Sequence, residues 1–560
     1  MKTMKSATSA GAPRFPIQND TEPGKPIGPS DNGLLAGRLL AHALLVGVAA
    51  DALLRQGPTG IGFPLWIALV VMAAMSLTRG AGRRVPREAR AWLAAALLFG
   101  AAIAWRDSMT LQFFDALAVV GAIAMAGVAL ADTRAALFAE RLRDTAWALA
   151  LLARDTAFGA LPLALRVAGG SAGARATNRR VGTAVRVVAV SGVLLLVFGS
   201  LLRSADPIFA SLVSLPDLDF PTLASHVLLI VFVAAIIAGW ARGALMARTG
   251  PASCPDMTPL RLGTADVTGA LGTLLVLFAV FVAAQVGWLF GGERFLRERT
   301  GLTAAAYARQ GFFQMMWVIA LVTPLLVGTR AALDPAGGTE LRRRHTRLSL
   351  PIVALLGIMI VSAMLRMRLY VRYFGLTTDR LYPLIVMGWL GFVLVWLART
   401  VLRDWARPFA AGVAISGLVT LAILNIVAPD VVVARVNLRR AARLDRAAAQ
   451  RLDVRYLATL SGDAAAFATL ATLAPATTDE VTDSQRCDAA QSLLTRWGAS
   501  SRAARRLDGP GSWRAWNAGD AAALRVVGAN SRSLRAVQHE TCGRARARRR
   551  MRAVADSGQR

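Results

Sequence analysis

Arginine and tyrosine recur side by side in the second half of the chain, in segments that separate long apolar runs. Arginine presents a planar fork that matches a carboxylate or a phosphate. Tyrosine adds a hydroxyl group and a flat face for stacking. With an aspartate after an earlier apolar run, they predict a polar site for an anionic or lipid-linked small molecule. The candidate residues are Asp206, Tyr307, Arg309, Arg366, Tyr370, Arg372, Tyr373, Asp379 and Arg380.

A rim of ion pairs is the alternative interpretation of the same residues. In that case Asp206, Glu293, Asp379 and Asp430 neutralise the arginines at a membrane surface, and no ligand is needed. The residue types alone leave both interpretations open.

The sequence offers little for catalysis or metal binding. Its four histidines are scattered, and no set of cysteines and histidines has the spacing of a zinc site. Lys25 is the last lysine, so the lysine of a phosphate-binding loop is absent from the rest of the chain. We therefore predict no catalytic residue, no metal and no cofactor, and an enzyme is not favoured.

The composition places these residues in a membrane protein. The chain is 55% hydrophobic with a mean hydropathy of +0.48. Its apolar runs are long enough to cross a hydrocarbon core of about 30 Å. Backbone polar groups in lipid must be satisfied within their own segment, so the spans must be helices. We predict an all-α bundle of about eleven transmembrane helices, near 36–54, 61–77, 91–105, 111–131, 184–202, 222–241, 267–290, 310–328, 348–366, 381–398 and 408–427.

Arginine-rich loops alternate with loops that carry few arginines. The rich loops lie near 78–90, 132–183, 242–265, 329–347 and 399–407. The positive-inside rule places them, and the N-terminus, in the cytoplasm. This orientation accounts for much of the net charge of +30, so we expect the lipid bilayer as a partner and no nucleic acid.

The same reasoning divides the chain into five parts. Residues 1–33 form a disordered cytoplasmic tail, 34–131 the first four spans, and 132–183 a cytoplasmic loop with an amphipathic helix. Residues 184–427 form a core of seven spans. Residues 428–560 form a small helical periplasmic domain, with a frayed basic end at Arg544–Arg552.

Charged residues also stand at the ends of several spans. Asp51, Arg106, Asp107 and Asp115 all fall near the predicted outer face. Each of them individually is typical of a helix end that caps or reaches toward water. Their shared side makes them a second group of candidates.

One connector has an unusual composition. The seventh span is predicted to end at Phe290, because Gly291 and Gly292 follow it. A charged segment comes next, and Thr303 is a plausible N-cap for the helix that carries Tyr307 and Arg309 back into the membrane.

Two of the three cysteines, Cys487 and Cys542, lie in the predicted periplasmic domain, and Cys254 lies in a cytoplasmic loop. An even pair in an oxidising compartment is consistent with a disulfide. Two unpaired thiols in a helical domain are the alternative.

Several stretches resemble a bacterial family of polytopic membrane proteins known as domain of unknown function 4173, with the related family 4153. The resemblance implies a shared helical membrane fold and carries over no activity. The matching stretches are Ser204–Phe209, Trp288–Leu296, Leu302–Phe313, Leu365–Tyr382, Asn425–Leu438 and Leu452–Ala464, with Trp513–Asn517 a weaker match.

Three functions remain compatible with the sequence. The first is binding or transport of an anionic or lipid-linked small molecule at an outer-facing polar site. The second is a structural or signalling role through the periplasmic domain. The third is an envelope transferase, for which Asp206 or Asp379 would have to serve as the general base.

Overall fold

In the described part of a computed structural model of the protein, ten helices are long and apolar enough to cross a membrane, or eleven if one bent pair is a single span. The structure describes residues 29–131, 142–169, 220–246, 261–300, 312–403, 409–443, 452–475, 480–509 and 511–557, with isolated positions between 191 and 202. Within these ranges there is no β-strand, and an isolated bridge joins Leu262 to Leu333. The predicted all-α membrane fold is confirmed.

Seven helices precede residue 250 in the described part of the chain. They are α1 (Pro29–Leu54), α2 (Gly62–Gly80), α3 (Arg87–Trp105), α4 (Met109–Ala131), α5 (Leu142–Phe158), α6 (Ala160–Gly169) and α7 (Phe220–Leu245). Five further helices of the described residues also belong to the membrane bundle. They are α8 (Thr264–Thr300), α9 (Phe312–Ala331), α10 (Gly338–Phe374), α11 (Thr378–Arg399) and α12 (Phe409–Val427).

The C-terminal domain packs against one end of this bundle, which we call the tail end. Its helices are α13 (Pro429–Arg443), α14 (Val454–Leu457), α15 (Ala465–Leu473), α16 (Glu480–Trp497), α17 (Arg502–Leu507), α18 (Ala518–Ala529) and α19 (Ser531–Ser557). The loop between α1 and α2 meets the domain there: the Ile61 amide donates to the Trp516 carbonyl at 2.9 Å. Arg514 donates to the carbonyl of Ala52 in α1 at 2.8 Å.

The opposite end, which we call the far end, carries the arginine-rich connections. Arg83, between α2 and α3, donates to the Leu130 carbonyl at the end of α4. The bridge between Leu262 and Leu333 ties the start of α8 to the end of α9. Those arginines of the alternate loops that the structure describes therefore lie at one end of the bundle, away from the C-terminal domain.

A bent pair of helices, α5 and α6, also packs near the far end. The two helices meet at 56°. Asp155 of α5 pairs with Arg242 of α7 at 3.2 Å. Gly239 lets α7 approach this closely, because a Cβ there would meet the backbone oxygens of Asp155 and Thr156. Together the two helices are long and apolar enough to form one broken span or a re-entrant loop, so the cytoplasmic amphipathic helix stays a prediction.

The helices α4 and α7 run in the same direction. α4 runs from the tail end to Ala131 at the far end. α7 starts again at the tail end, where Ser225 accepts a hydrogen bond from Arg55 at 3.0 Å. The predicted span 184–202 lies between these two helices in the sequence and falls largely outside the described residues.

Three boundaries differ from the sequence predictions. α1 begins at Pro29, inside the predicted disordered tail. α8 continues through Gly291 and Gly292 to Thr300, because each glycine costs a helix only about 1 kcal/mol. The basic end is not frayed: α19 runs to Ser557, and Arg544 pairs with Asp483 of α16 at 2.7 Å.

The C-terminal domain has an apolar core of its own. Leu457, Leu493, Val527 and Leu534 are fully or almost fully buried in it. A disulfide joins Cys487 of α16 to Cys542 of α19, with the Cα atoms 5.0 Å apart. Leu376 of the α10–α11 turn is buried in the same core, and Val371 and Leu381 pack against it, so apolar as well as polar contacts join the domain to the bundle.

Candidate functional site

The predicted binding residues separate into three groups. Asp206, Tyr307 and Arg309 lie outside the described residues. Arg372 and Tyr373 occupy the last turns of α10, where only the backbone is described. The remaining four, whose side chains are described, are Arg366, Tyr370, Asp379 and Arg380.

Tyr370 and Arg380 come together at the tail end. The Arg380 guanidinium lies 4.4 Å from the centre of the Tyr370 ring, a cation–π contact that holds the arginine in place. Arg366 is not part of this pair: it is buried in α10 and donates to Ser362 at 3.3 Å. Asp379 is exposed at the start of α11.

The turn between α10 and α11 positions Arg380. α10 ends at Gly375, whose φ of 80° lies in the left-handed region. Arg380 donates to the carbonyls of Phe374 and Gly375. Asn437 of α13 closes the turn from the other side, accepting from the Leu376 amide at 2.9 Å and donating to the Leu376 carbonyl at 2.6 Å. The turn is thus fastened to the C-terminal domain.

Tyr456 of α14 completes this arrangement. Its hydroxyl oxygen accepts a hydrogen bond from the Thr378 amide at 2.9 Å. Burial raises the pKa of the Tyr456 phenol, so the group stays neutral at physiological pH. Tyr456 therefore acts here as a fixed hydrogen-bonding group.

These residues line a cleft of about 200 Å³ between the bundle and the C-terminal domain, which we call the Arg380 cleft. Its polar lining consists of Thr377, Arg380, Asn437, Arg440, Asp453 and Tyr456. Two guanidinium groups face a single carboxylate, so the lining carries net positive charge. A cleft of this size and charge suits one phosphate or carboxylate group.

A second polar cluster lies where the α3–α4 turn meets the C-terminal domain. Arg106 donates to the carbonyls of Asn425 at 2.6 Å and Ile426 at 3.2 Å, and pairs with Asp463 at 3.3 Å. The carboxylate of Asp107 accepts from the Gly462 amide at 2.7 Å. The span-end residues Arg106 and Asp107 thus join two separate parts of the fold.

Burial changes the titration of this cluster. Burial raises the pKa of Asp107 to about 7, and the nearby Asp520 carboxylate also raises it. The hydrogen bond from the Gly462 amide and the positive charge of Arg496 act in the opposite direction. Burial also raises the pKa of Asp463, although Arg106 opposes that change. Burial lowers the pKa of the Arg496 guanidinium. Ionising Asp107, Asp463 and Arg496 together therefore costs free energy.

Below this cluster, polar side chains continue between the tops of the spans. Asn425 of α12 donates to the fully buried Asp115 of α4 at 2.8 Å. Ser108 and Tyr382 share a hydrogen bond of 3.4 Å. Asp115 is thus neither at a lipid-facing surface nor a helix cap, contrary to the simpler sequence interpretation.

Asp51 has a different role. It accepts from Arg55 at 2.8 Å and meets the His226 ring nitrogen at 2.5 Å. Since Asp51 and Arg55 belong to α1 and its following turn, and His226 to α7, the contact links two spans. Asp51 and Asp115 are both at the tail end, as their shared side predicted.

The polar residues that sequence reasoning missed have no distinctive local pattern. What could have indicated them is their position, because they lie within the stretches that resemble the family. Asn425 and Asn437 lie within Asn425–Leu438, and Asp463 lies within Leu452–Ala464. Asn517 ends Trp513–Asn517, and its side-chain amide donates to the carbonyls of Ile103 and Arg106 at 3.0 Å each.

The fold and this interface define a class: a polytopic α-helical membrane protein with a helical domain docked on one end of its bundle. The family model described as "Domain of unknown function (DUF4153)" matches residues 93–469. The match covers more than half of the chain, and the protein belongs to this family. The family is the second of the two related families in the sequence resemblance. No curated protein and no solved structure matches the chain.

Proposed function

We propose that this membrane protein binds an anionic group, free or lipid-linked, in the Arg380 cleft. The observation that carries the proposal is that Arg380 and Arg440 line one cleft, with Tyr456 and Asn437 held beside them by hydrogen bonds. All of the cleft's lining residues lie inside the family match. Fixed guanidinium groups bind phosphate and carboxylate with little loss of side-chain entropy.

The orientation we propose puts this cleft outside the cytoplasm. The arginines of the far end favour a cytoplasmic location by the positive-inside rule. The C-terminal domain then lies in the periplasm of a bacterial cytoplasmic membrane, which suits a disulfide between Cys487 and Cys542. An anion in the envelope would thus reach the Arg380 cleft without crossing the membrane.

Replacement of Arg440 by glutamine tests the binding site. Arg440 lines the cleft, whereas its neighbour Arg439 is exposed and does not. We expect inorganic phosphate, titrated at constant ionic strength into protein in an uncharged detergent, to raise the thermal unfolding midpoint saturably. Arg440→Gln should weaken this apparent affinity at least tenfold, and Arg439→Gln should not. Equal behaviour of the two variants would overturn the proposal.

A structural or signalling role through the C-terminal domain is the second candidate function. It is favoured by the docking contacts, since Asn517 and Arg106 fasten the domain to the turns of the bundle. Deletion of residues 440–560 separates the two: a signalling protein loses its phenotype. That deletion also removes part of the Arg380 cleft, so the Arg440→Gln variant must be compared with it. An envelope transferase is less well supported, because Asp379 is exposed and does not line the cleft.

A further inference from the structure

A larger cleft lies on the C-terminal domain itself, and we call it the arginine cleft. It has a volume of about 890 Å³ and is bounded by the end of α16, by α17, by the start of α18 and by α19. Its floor reaches Asp107 at the top of the membrane bundle. Five arginines line it, namely Arg496, Arg502, Arg505, Arg506 and Arg535. It shares no lining residue with the Arg380 cleft.

Arg496 is held rigidly at the inner wall of this cleft. It donates to the carbonyls of Ala458 at 3.1 Å and Leu460 at 2.7 Å. Its guanidinium lies 3.9 Å from the centre of the Trp497 ring. These contacts fix its position and leave its positive charge without an ion-pair partner among the described residues.

The other arginines form the outer wall, and all four are exposed. Arg505 donates to the carbonyl of Ser500. Over the part of the chain that the structure describes, no carboxylate forms an ion pair with Arg502, Arg505, Arg506 or Arg535. Since like charges at this density repel one another, an anion in the cleft would relieve an unfavourable arrangement.

The floor of the arginine cleft carries carboxyl groups instead of arginines. Asp520 accepts from the Trp497 indole nitrogen through one oxygen, at 2.9 Å. Asp107 accepts from the Gly462 amide through one oxygen, at 2.7 Å. Each carboxyl group has a second oxygen that can accept a hydroxyl hydrogen from a ligand. Thr495 and Gln538 add further neutral hydrogen-bonding groups to the lining.

We propose that the arginine cleft binds a hydroxyl-bearing small molecule with at least two anionic groups, of the class of sugar bisphosphates. The anionic groups bind to the arginines of the outer wall, and the hydroxyl groups bind to the carboxyl groups of the floor. The volume is in the range of small-molecule pockets and exceeds what a single phosphate needs. Because the floor includes Asp107, an occupied cleft also contacts the turn between α3 and α4.

Fructose 1,6-bisphosphate serves as the probe, with fructose as its uncharged counterpart. Isothermal titration of the full-length protein in phosphatidylcholine nanodiscs should give saturable binding of the bisphosphate and none of fructose. The double variant Arg505→Gln/Arg506→Gln should weaken the affinity at least tenfold. Arg525→Gln/Arg532→Gln is the matched control, because it removes two exposed arginines of the same domain that lie outside the cleft.

Two results would overturn the proposal: no saturable binding of the bisphosphate, or an equal loss of affinity in the two double variants. Bisphosphate binding that Arg505→Gln/Arg506→Gln weakens belongs to the arginine cleft, and phosphate binding that Arg440→Gln weakens belongs to the Arg380 cleft, so failure of the two clefts is distinguishable. Nanodiscs that contain phosphatidylglycerol identify the source of the anion. If phosphatidylglycerol weakens bisphosphate binding to the wild type and not to Arg505→Gln/Arg506→Gln, the natural ligand of the cleft is a lipid headgroup. If bisphosphate binding is unchanged by this lipid, the natural ligand is a free solute.

Discussion

At the scale of single residues, Asp107 couples the stability of the docked domain to pH. Burial raises its pKa from the ordinary value of 3.8 to about 7 in the folded protein. The folded state therefore holds a proton that the unfolded state releases, and stability falls as pH rises from about 4 to about 7. Above pH 7 Asp107 is ionised in both states, and the folded protein is destabilised by the full free energy of the buried charge. The charged groups around it are Asp463, Asp520 and Arg496.

Asp107→Asn should remove this dependence, because asparagine keeps the acceptor for the Gly462 amide and carries no charge. We expect the variant to exceed the wild type in stability at pH 8 by on the order of 3 kcal/mol, and by little at pH 4.5. Thermal unfolding between these pH values measures the difference. Asp508→Asn, at an exposed position of the same domain, should leave the pH profile unchanged. A constant difference between wild type and Asp107→Asn at every pH would contradict the assignment.

Residue types were easier to predict than residue partners. The proximity of Arg380 to Tyr370 follows from the short turn between two spans, so the sequence was sufficient to predict it. Asn517 and Ile103 are 414 residues apart, and no local pattern indicates that they meet. Asparagine at such a position is unremarkable in a sequence. Its role becomes visible only when the end of α3 and the α1–α2 connection present their carbonyls to one amide.

At the scale of helices, α16 and α19 form the wall that carries much of the arginine cleft. α19 is rich in arginine, and basic side chains at this density favour a solvated helix with little apolar burial. The disulfide and the pair between Asp483 and Arg544 compensate, since both tie α19 to α16. This is why the sequence predicted a frayed end and the structure has a continuous helix. Hydrophobic periodicity in a sequence indicates which face of a helix is apolar. It does not indicate contacts such as these, which come from a second helix.

Loss of the disulfide should therefore loosen α19. The bond closes a segment of 55 residues, for which chain entropy predicts about 4 kcal/mol of stabilisation. We expect the Cys487→Ser/Cys542→Ser variant to be cleaved by trypsin within α19 at least tenfold faster than the wild type, as measured by mass spectrometry. A reductant should accelerate cleavage of the wild type and leave the variant unaffected. Equal cleavage of wild type with and without reductant would show that the thiols are unpaired.

At the scale of the whole molecule, the apolar runs predicted the spans because length and hydropathy alone decide whether a helix can cross a bilayer. The alternation of arginine-rich loops predicted which ends lie together, and α2, α9 and α11 indeed finish at one end. The same reasoning could not locate the C-terminal domain on the bundle. That position depends on polar contacts with the turns at the ends of α1 and α3, which hydropathy does not register.

Orientation in the membrane is the last property that these contacts predict. The far end carries the arginines, so Arg343 should face the cytoplasm, and Arg532 of the docked domain should face the periplasm. Each can be replaced by cysteine in a Cys254→Ser background that keeps Cys487 and Cys542. In cells with a permeabilised outer membrane, an impermeant maleimide should label Arg532→Cys and spare Arg343→Cys until the inner membrane is opened. The background protein without added cysteine reports any labelling of the native pair. Labelling of both positions from the same side would contradict this orientation, because α10, α11 and α12 lie between them and three crossings put the two positions on opposite sides of the membrane.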